Sequence, residues 1–371
     1  MKTRLLTVLP SLEGGGAEKF VCRLMRDLPR DRFDLHLGLL RKTGPNLQLL
    51  PSDITVHDLG GVRCRAASLP LLRLIRRLRP ETVHTTGTEL NILAGCLKHA
   101  FPSRVRLVIS QQNTPSALPR LTGGGMGFAA MRHAFGNVDQ VVAISKADRR
   151  RWIKLFGLDP ERVTAIYNPI DPTIVPPKRL DDQLAANPFA RPLRVVVACR
   201  LIPAKAVDRL LDAWPELLRK APQAHLAIYG EGPERENLES QTRRLGIGSS
   251  VSMPGYVTDI DSRMQNADLF LLTSRIEAFG NVVVESIAAG CPLAANRPRG
   301  GSGEVMNLLG LGHRNVADWS QWPATLFDRS DIAAAQPLLA RHFSGSVIAG
   351  QYADVLEAPV MVARGRRSSA A

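Results

Sequence analysis

Short apolar runs alternate with longer amphipathic stretches along most of this 371-residue chain. Apolar runs of about four to eight residues are typical of strands buried on both faces, and apolar residues at helical spacing occupy the stretches between them. The pattern predicts strands at residues 5–9, 33–40, 54–57, 82–86, 105–110, 140–144, 194–199, 225–230 and 269–272. Strands that alternate with helices indicate an α/β fold with parallel sheets covered on both faces.

The length of the chain allows two domains of this kind, at roughly 100 to 200 residues each. We predict a Rossmann-like domain at residues 1–171, a linker at 172–192 that is rich in Pro, Asp and Ala, and a second Rossmann-like domain at 193–345. A helical pattern at residues 346–356 precedes a basic tail that ends at residue 371. Because ligands bind at the carboxyl ends of parallel strands, the loops after the strands are the first candidates for function.

The composition is that of a soluble globular protein, with 44% hydrophobic residues. No segment approaches the roughly 18 uninterrupted apolar residues that a membrane span requires, and the first apolar run is too short for a signal peptide. We therefore expect the protein in the cytoplasm. Its cysteines have no paired spacing, which predicts neither a zinc site nor a disulfide framework; they are Cys22, Cys64, Cys96, Cys199 and Cys291.

The net charge of +14 is concentrated in the first half of the chain. Residues 1–171 contain 26 Lys and Arg against 14 Asp and Glu, a net charge of +12, and the remainder contains 22 against 20, a net charge of +2. A positive face can bind nucleic acid, an anionic membrane surface or an acidic acceptor, and solvated arginines explain the excess equally well. The basic amphipathic segment at 69–79 either lies on a bilayer or packs its leucines on its own sheet.

One stretch, residues 273–292, combines a strand end, a loop and a helix that carry two carboxylates. Glu277 lies in the loop, and Glu285 lies eight residues later, within a helix predicted at 281–289. A helix N-terminus offers unpaired amides to a phosphate or a sugar hydroxyl, and carboxylates accept hydrogen bonds from a polyhydroxylated ligand. The combination suits a nucleotide sugar. The alternative is that Glu277 caps the helix and Glu285 is solvated.

This stretch resembles the signature of glycosyltransferase family 4. The resemblance rests on two Glu separated by seven residues, on Phe279 and Gly280 after the first, and on the helix end at Gly-Cys-Pro. It implies the GT-B fold, in which two Rossmann-like domains face each other across a cleft, with the last helix crossing back to the first domain. Further similar segments are GGGAE, YNPID, RLIPAKAVDRLLDA, YGEGP and PRGGSGEV. Three departures stand out: Cys199 and Ala206 replace glycines, and Ser110, Gln111 and Gln112 lie where many relatives have a His.

The resemblance implies a retaining transfer of a hexosyl or N-acetylhexosaminyl group from a nucleotide diphosphate sugar to a hydroxyl of a glycan or lipid-linked acceptor. No cofactor and no metal are expected, because two cations, Arg200 and Lys205, would neutralise the diphosphate. The implied catalytic residues are Glu277, Arg200 and Lys205. The implied donor-binding residues are Gly15, Gly16, Arg200, Lys205, Tyr256, Val257, Glu277, Ala278, Phe279, Gly280, Asn281 and Glu285. Loop positions suggest acceptor contacts from Thr88, Asn91, Gln112 and Asn113.

Other functions stay open beside this one. A nucleotide-sugar epimerase or a pyridoxal-dependent phosphorylase shares the fold class, but no motif for either is present. A nucleic-acid-binding protein would use the basic half, although no reading motif or aromatic stacking set accompanies it. An inactive member of the family, kept as a scaffold or bound to an anionic membrane surface within a larger complex, is the remaining alternative. We expect no nucleic-acid partner, and an acceptor for cell-surface polysaccharide or lipopolysaccharide synthesis.

Overall fold

The computed structural model describes residues 2–13, 15–61, 64–115, 125–170, 174–177, 187–319 and 321–359. Two compact units make up the chain. The first comprises Met1–Ile144, Asp148–Tyr167 and Ile348–Ala371, and the second comprises Ser145–Ala147 and Asn168–Val347. Much of the predicted linker, and the basic tail from residue 360, lie outside the described residues. The predicted α/β class is confirmed, because each unit is built on a parallel sheet covered by helices.

The first unit contains a seven-stranded parallel sheet in the order β3-β2-β1-β4-β5-β6-β7. Its strands are β1 Thr3–Leu9, β2 Phe33–Leu39, β3 Thr55–Asp58, β4 Thr82–Thr86, β5 Arg106–Gln111, β6 Gln140–Ala143 and β7 Val163–Ala165. Its helices are α1 Gly16–Asp27, α2 Ser68–Leu78, α3 Thr88–Leu97, α4 Gly125–Asn137 and α5 Lys146–Phe156. Every residue of the central strands β4, β5 and β6 is buried, including the polar residues that each strand contains, such as the threonines of β4.

The last helix of the chain, α12 (Gly345–Glu357), packs into the first unit. The hydroxyl of Tyr352 lies 3.1 Å from the Ser110 hydroxyl of β5, and Thr82 of β4 donates a 2.8 Å hydrogen bond to the carbonyl of Leu356. Arg32, just before β2, forms a 2.7 Å ion pair with Glu357. Buried polar contacts and a half-buried ion pair therefore attach α12 to the rest of the first unit.

The second unit contains a five-stranded parallel sheet in the order β10-β9-β8-β11-β13 and a separate two-stranded sheet formed by β12 and β14. Its strands are β8 Arg194–Ala198, β9 His225–Tyr229, β10 Val251–Gly255, β11 Leu269–Leu272, β12 Ile276–Glu277, β13 Leu293–Ala295 and β14 Arg299–Gly300. Its helices are α6 Val207–Lys220, α7 Arg235–Arg244, α8 Ile260–Gln265, α9 Asn281–Ala288, α10 Gly301–Leu308 and α11 Ser330–Phe343. None of the helices within the described residues is long and apolar enough to cross a membrane.

Strand β10, the two short strands β12 and β14 and one helix cap depart from what the sequence predicts. The sequence assigns residues 251–257 to a loop, because Pro254 and Gly255 interrupt the apolar pattern, whereas residues 251–255 form β10. A strand of two residues has no period to detect, so the hydrophobic pattern does not indicate β12 or β14. The sequence also predicts that Thr258 and Asp259 cap α8. Asp259 occupies the cap position, but its side chain makes no cap hydrogen bond and instead forms a 3.1 Å ion pair with Arg263, four residues later. That cap prediction is wrong because the ion pair competes for the same carboxylate.

Candidate functional site

The main cluster of candidate residues lies at the carboxyl edge of the second sheet. Strands β8, β10 and β11 are parallel members of this sheet, and Arg200, Tyr256 and Glu277 follow their carboxyl ends within a few residues. In an open parallel sheet this edge is where ligands bind. The structure therefore brings together residues that are more than seventy positions apart in the chain.

The loop that carries Arg200 is held by the glycines of the YGEGP segment. Cys199 donates a 3.0 Å backbone hydrogen bond to Tyr229, and Leu201 donates a 2.9 Å bond to Glu231. A Cβ on Gly230 would lie 1.9 Å from the Cys199 carbonyl oxygen, and one on Gly232 would lie 2.2 Å from that of Leu201. Only glycine permits this approach, so the two loops are paired by backbone and leave the Arg200 side chain exposed.

Lys205 and Glu277 form an ion pair at the centre of the cluster. The Lys205 ammonium donates to Glu277 Oε1, and both side chains are largely buried, at 20% and 14% exposure. The hydroxyl of Ser274 donates to the same oxygen at 2.7 Å. A charged ligand that binds beside this partly buried pair can compete for either charged side chain.

Two hydrogen bonds attach the loop before Glu277 to the turn that carries Lys205. The Thr273 hydroxyl donates to the Lys205 carbonyl at 2.6 Å, and the Arg275 amide donates to the Ala204 carbonyl at 3.0 Å. Thr273 and Ser274 are not among the candidates predicted from the sequence. Their position directly after β11, at a carboxyl strand end, is the sequence feature that could have indicated them.

The backbone of Glu277 is held from its other side by β14. Ile276 pairs with Arg299 and Glu277 pairs with Gly300 in parallel register. A Cβ on Gly300 would lie 1.9 Å from the Glu277 carbonyl oxygen, so a larger residue there would displace the strand that presents this carboxylate. The glycines of the PRGGSGEV segment thus support Glu277 structurally.

Helix α9 begins immediately after the loop. Its cap residue, Gly280, is left-handed with φ of 83°, and no side chain in the described part of the protein caps the helix. Phe279 is buried, and its ring lies 5.6 Å from that of Phe343, so its side chain packs inside the second unit. Glu285 is half-buried within the helix, and Asn281 accepts a 3.3 Å hydrogen bond from Asn168. The Glu277 carboxylate is bound by Lys205 and Ser274, and the structure records no cap hydrogen bond from it.

Three further positions of the second unit complete the description. Tyr256 is exposed, at 67%, and Val257 and Ala278 are half-buried. Cys199, which replaces a glycine of the family pattern, is close to the Lys205–Glu277 pair, and burial raises the pKa of its thiol to about 12. The thiol is therefore neutral at pH 7 and is not a nucleophile.

The candidates in the first unit form two groups. Gly15 precedes α1 with φ of 150°, Gly16 is the first residue of that helix, and position 14 lies outside the described residues. At the start of α3, the Thr88 hydroxyl accepts hydrogen bonds from Gln111 at 3.0 Å and from Asn113 at 3.3 Å. Gln112 is half-buried beside them.

Asn91 lies behind that second group. Its side chain is fully buried: it donates to the Ser110 carbonyl at 2.9 Å and accepts from Thr85 at 2.7 Å. It therefore supports the strand ends, and its direct contact with an acceptor stays a prediction. No group of three or more His, Cys, Asp or Glu within the described ranges could hold a metal ion.

Comparisons with known families and proteins identify the type of protein to which the chain is similar. A model of the glycosyl transferases group 1 matches residues 182–312, and a model of Glycosyltransferase Family 4 matches residues 14–174. The two matches are consecutive, and all the candidate catalytic, donor-binding and acceptor-binding residues lie within them.

Among curated relatives, one component of the human phosphatidylinositol N-acetylglucosaminyltransferase is 29% identical over 258 residues, which is 65% of this chain and 49% of the human protein. The chain spans about half or less of the length of the first relatives it matches. A longer match, 24% identical over 80% of this chain and 81% of the relative, is to the N-acetylgalactosamine-N,N'-diacetylbacillosaminyl-diphospho-undecaprenol 4-alpha-N-acetylgalactosaminyltransferase of Campylobacter jejuni.

Among solved structures, Anabaena Alr3699/HepE in complex with UDP and glucose aligns with a TM-score of 0.74. The alignment covers 95% of this chain and 99% of the Anabaena chain at 21% identity. At this level of identity the likeness shows that the two proteins share a fold.

Proposed function

Because this chain belongs to the glycosyltransferases of the group 1, family 4 type, we propose that it transfers a sugar from a nucleotide diphosphate sugar to a hydroxyl of a glycan or lipid-linked acceptor. The observation that carries the proposal is the Lys205–Glu277 ion pair at the carboxyl edge of the second sheet. Arg200 lies exposed after β8 on the same edge, and the uncapped start of α9 follows Glu277.

The proposed chemistry uses these charges as follows. Breaking the sugar–phosphate bond leaves negative charge on the diphosphate, which Arg200, Lys205 and the first amides of α9 would neutralise. The sugar develops positive charge at the same time, and Glu277 would stabilise that charge or orient a sugar hydroxyl. Glu285 would accept hydrogen bonds from the ribose. In the proposed retaining course, the acceptor hydroxyl attacks from the side of the leaving group, and a donor phosphate oxygen takes its proton.

The names of the relatives support a choice of substrates. The human and Campylobacter proteins are named for N-acetylhexosaminyl transfer to phosphatidylinositol and to a diphospho-undecaprenol glycan. We accordingly propose a hexosyl or N-acetylhexosaminyl donor and a lipid-linked acceptor in cell-surface polysaccharide or lipopolysaccharide synthesis. For this acceptor the protein would work at the inner face of the cytoplasmic membrane. No cofactor or metal is part of the proposal.

The donor site is tested by a calorimetric and thermal-shift screen of UDP, GDP, ADP and their sugars. We expect one nucleotide to bind, and Lys205→Ala and Glu285→Ala each to weaken it about tenfold or more, since each removes a charged partner of the ligand. Arg244→Ala, which removes an exposed cation from the last turn of α7, is the matched control and should bind as the wild type does. A folded wild-type protein that binds none of these nucleotides would instead favour a non-catalytic scaffold of the same fold.

A further inference from the structure

Ser274 is placed to orient the carboxylate on which the proposed function depends. It is only 1% exposed, it lies three residues before Glu277, and its hydroxyl donates to Glu277 Oε1 at 2.7 Å. Lys205 donates to that same oxygen, and neither contact uses Oε2. Both donors therefore bind Oε1, which is the carboxylate oxygen that these two side chains hold.

A bound nucleotide would affect the hydrogen bonds from Lys205 and from Ser274 to Glu277 differently. Lys205 is a cation with three N–H donors, and a diphosphate at this edge competes with Glu277 for it. Ser274 is neutral and belongs to the same loop as Glu277, so its contact does not depend on the ligand. We propose that Ser274 is a positioning residue, which holds Oε1 of Glu277 while Lys205 neutralises the donor diphosphate.

Thr273 acts on the other member of the pair. Its hydroxyl donates to the Lys205 carbonyl at 2.6 Å, and it is nearly buried, at 4% exposure. Neighbouring hydroxyls after β11 therefore serve different partners: Thr273 fixes the turn of the cation, and Ser274 fixes the carboxylate. The inference about Ser274 rests on the proposed function only for its effect on turnover, because the contact itself exists without a ligand.

A ligand-free measurement tests the contact. Without ligand at pH 7, the Glu277 side chain is observed by 13C NMR of the side-chain carboxyl carbons, and Glu277→Gln assigns the signal. Ser274→Ala should move the Glu277 signal, because the carboxylate loses the Ser274 donor while the Lys205 donor remains. Ser274→Thr, which keeps the hydroxyl, should return the signal to its wild-type position, and Thr273→Val should leave the signal unchanged.

Binding and turnover test the positioning role. With the nucleotide identified by the donor screen, Ser274→Ala should bind the nucleoside diphosphate within about twofold of wild type and lower kcat for hydrolysis of the nucleotide sugar about 10- to 100-fold. Thr273→Val should show the opposite pattern, with weaker diphosphate binding.

Specific results would overturn the inference. One is a Glu277 carboxyl signal that is the same in Ser274→Ala and wild type, with only the melting temperature lowered, which would make Ser274 a purely structural residue. Another is an equal loss of kcat in Ser274→Thr and Ser274→Ala. A protein that binds no nucleotide removes the proposed function, whereas the NMR comparison still decides whether Ser274 contacts Glu277.

Discussion

Ala206 shows the cost of a single substitution at the candidate site. It follows Lys205, where the family pattern has glycine, and it adopts a left-handed backbone with φ of 49° while nearly fully buried. This conformation costs a residue with a Cβ about 1 to 2 kcal/mol, and proteins retain such strain mainly at functional sites. The left-handed backbone of Ala206 thus lowers the stability of the turn that carries Lys205.

Replacing Ala206 by glycine should therefore stabilise the protein. We expect the free energy of unfolding to rise by about 0.5 to 1 kcal/mol, since relief of strain exceeds the added entropy of the unfolded chain. Urea unfolding measures the change. Ala204→Gly, in the same turn but without a positive φ, is the control and should lower stability. Equal losses in both variants would contradict the explanation.

Helix α2 contains the basic amphipathic segment for which the sequence allows either contact with a bilayer or packing of its leucines on its own sheet. Leu71, Leu74 and Ile75 are buried in the first unit, which confirms that the leucines pack on their own domain. Arg73, Arg76, Arg77 and Arg79 are exposed, and Leu69 is 51% exposed at the start of the helix. Any contact of this helix with a membrane would therefore be mainly electrostatic, through its arginines.

Vesicle binding tests this electrostatic contact. We expect the protein to bind vesicles of phosphatidylglycerol and phosphatidylcholine, with an affinity that falls as salt rises. The double change Arg73→Glu and Arg76→Glu should weaken binding more than tenfold, since each basic residue near an anionic surface contributes about 1 kcal/mol. Arg243→Glu with Arg244→Glu, on α7, is the matched control. Binding that ignores both salt and charge reversal would exclude this partner.

At the scale of the whole molecule, helix α12 contributes buried side chains to the core of the first unit. His84 of β4 is fully buried, its Nε2 lies 2.7 Å from the Ser110 hydroxyl, and Ser110 in turn contacts Tyr352 of α12. Burial lowers the pKa of His84 from 6.5 to about 4. The imidazole is therefore neutral in the folded protein at pH 7, and the network joins β4, β5 and α12 without a buried charge.

This network should make stability depend on pH. Above pH 6.5 His84 is neutral in both states and contributes nothing; as the pH falls from 6.5 to about 4, the unfolded chain binds a proton that the folded protein does not. The free energy of unfolding should fall by on the order of 3 kcal/mol over this range. Urea unfolding at several pH values measures it. His84→Gln should lose this part of the slope and Tyr352→Phe should keep it; an unchanged slope in His84→Gln would refute the assignment.

A structural feature can be predicted from the sequence when neighbouring residues along the chain carry its pattern. Strand β11 has the predicted bounds, because a strand buried on both faces leaves an apolar run in the chain itself. Strand β7, three residues long, and the paired strands β12 and β14 have no such run. The candidates Lys205 and Glu277 came from resemblance to a family, and nothing local indicates that they touch.

The sequence by itself determined the α/β class, the position of most strands and the candidate residues around Glu277. Only the tertiary structure decided that Glu277 pairs with Lys205 and Ser274, and that Asp259 pairs with Arg263 instead of capping α8. The physical reason is that periodicity records which face of an element is buried. Contacts between loops depend instead on the order of strands in a sheet, which brings the ends of β8 and β11 together across some seventy residues of chain.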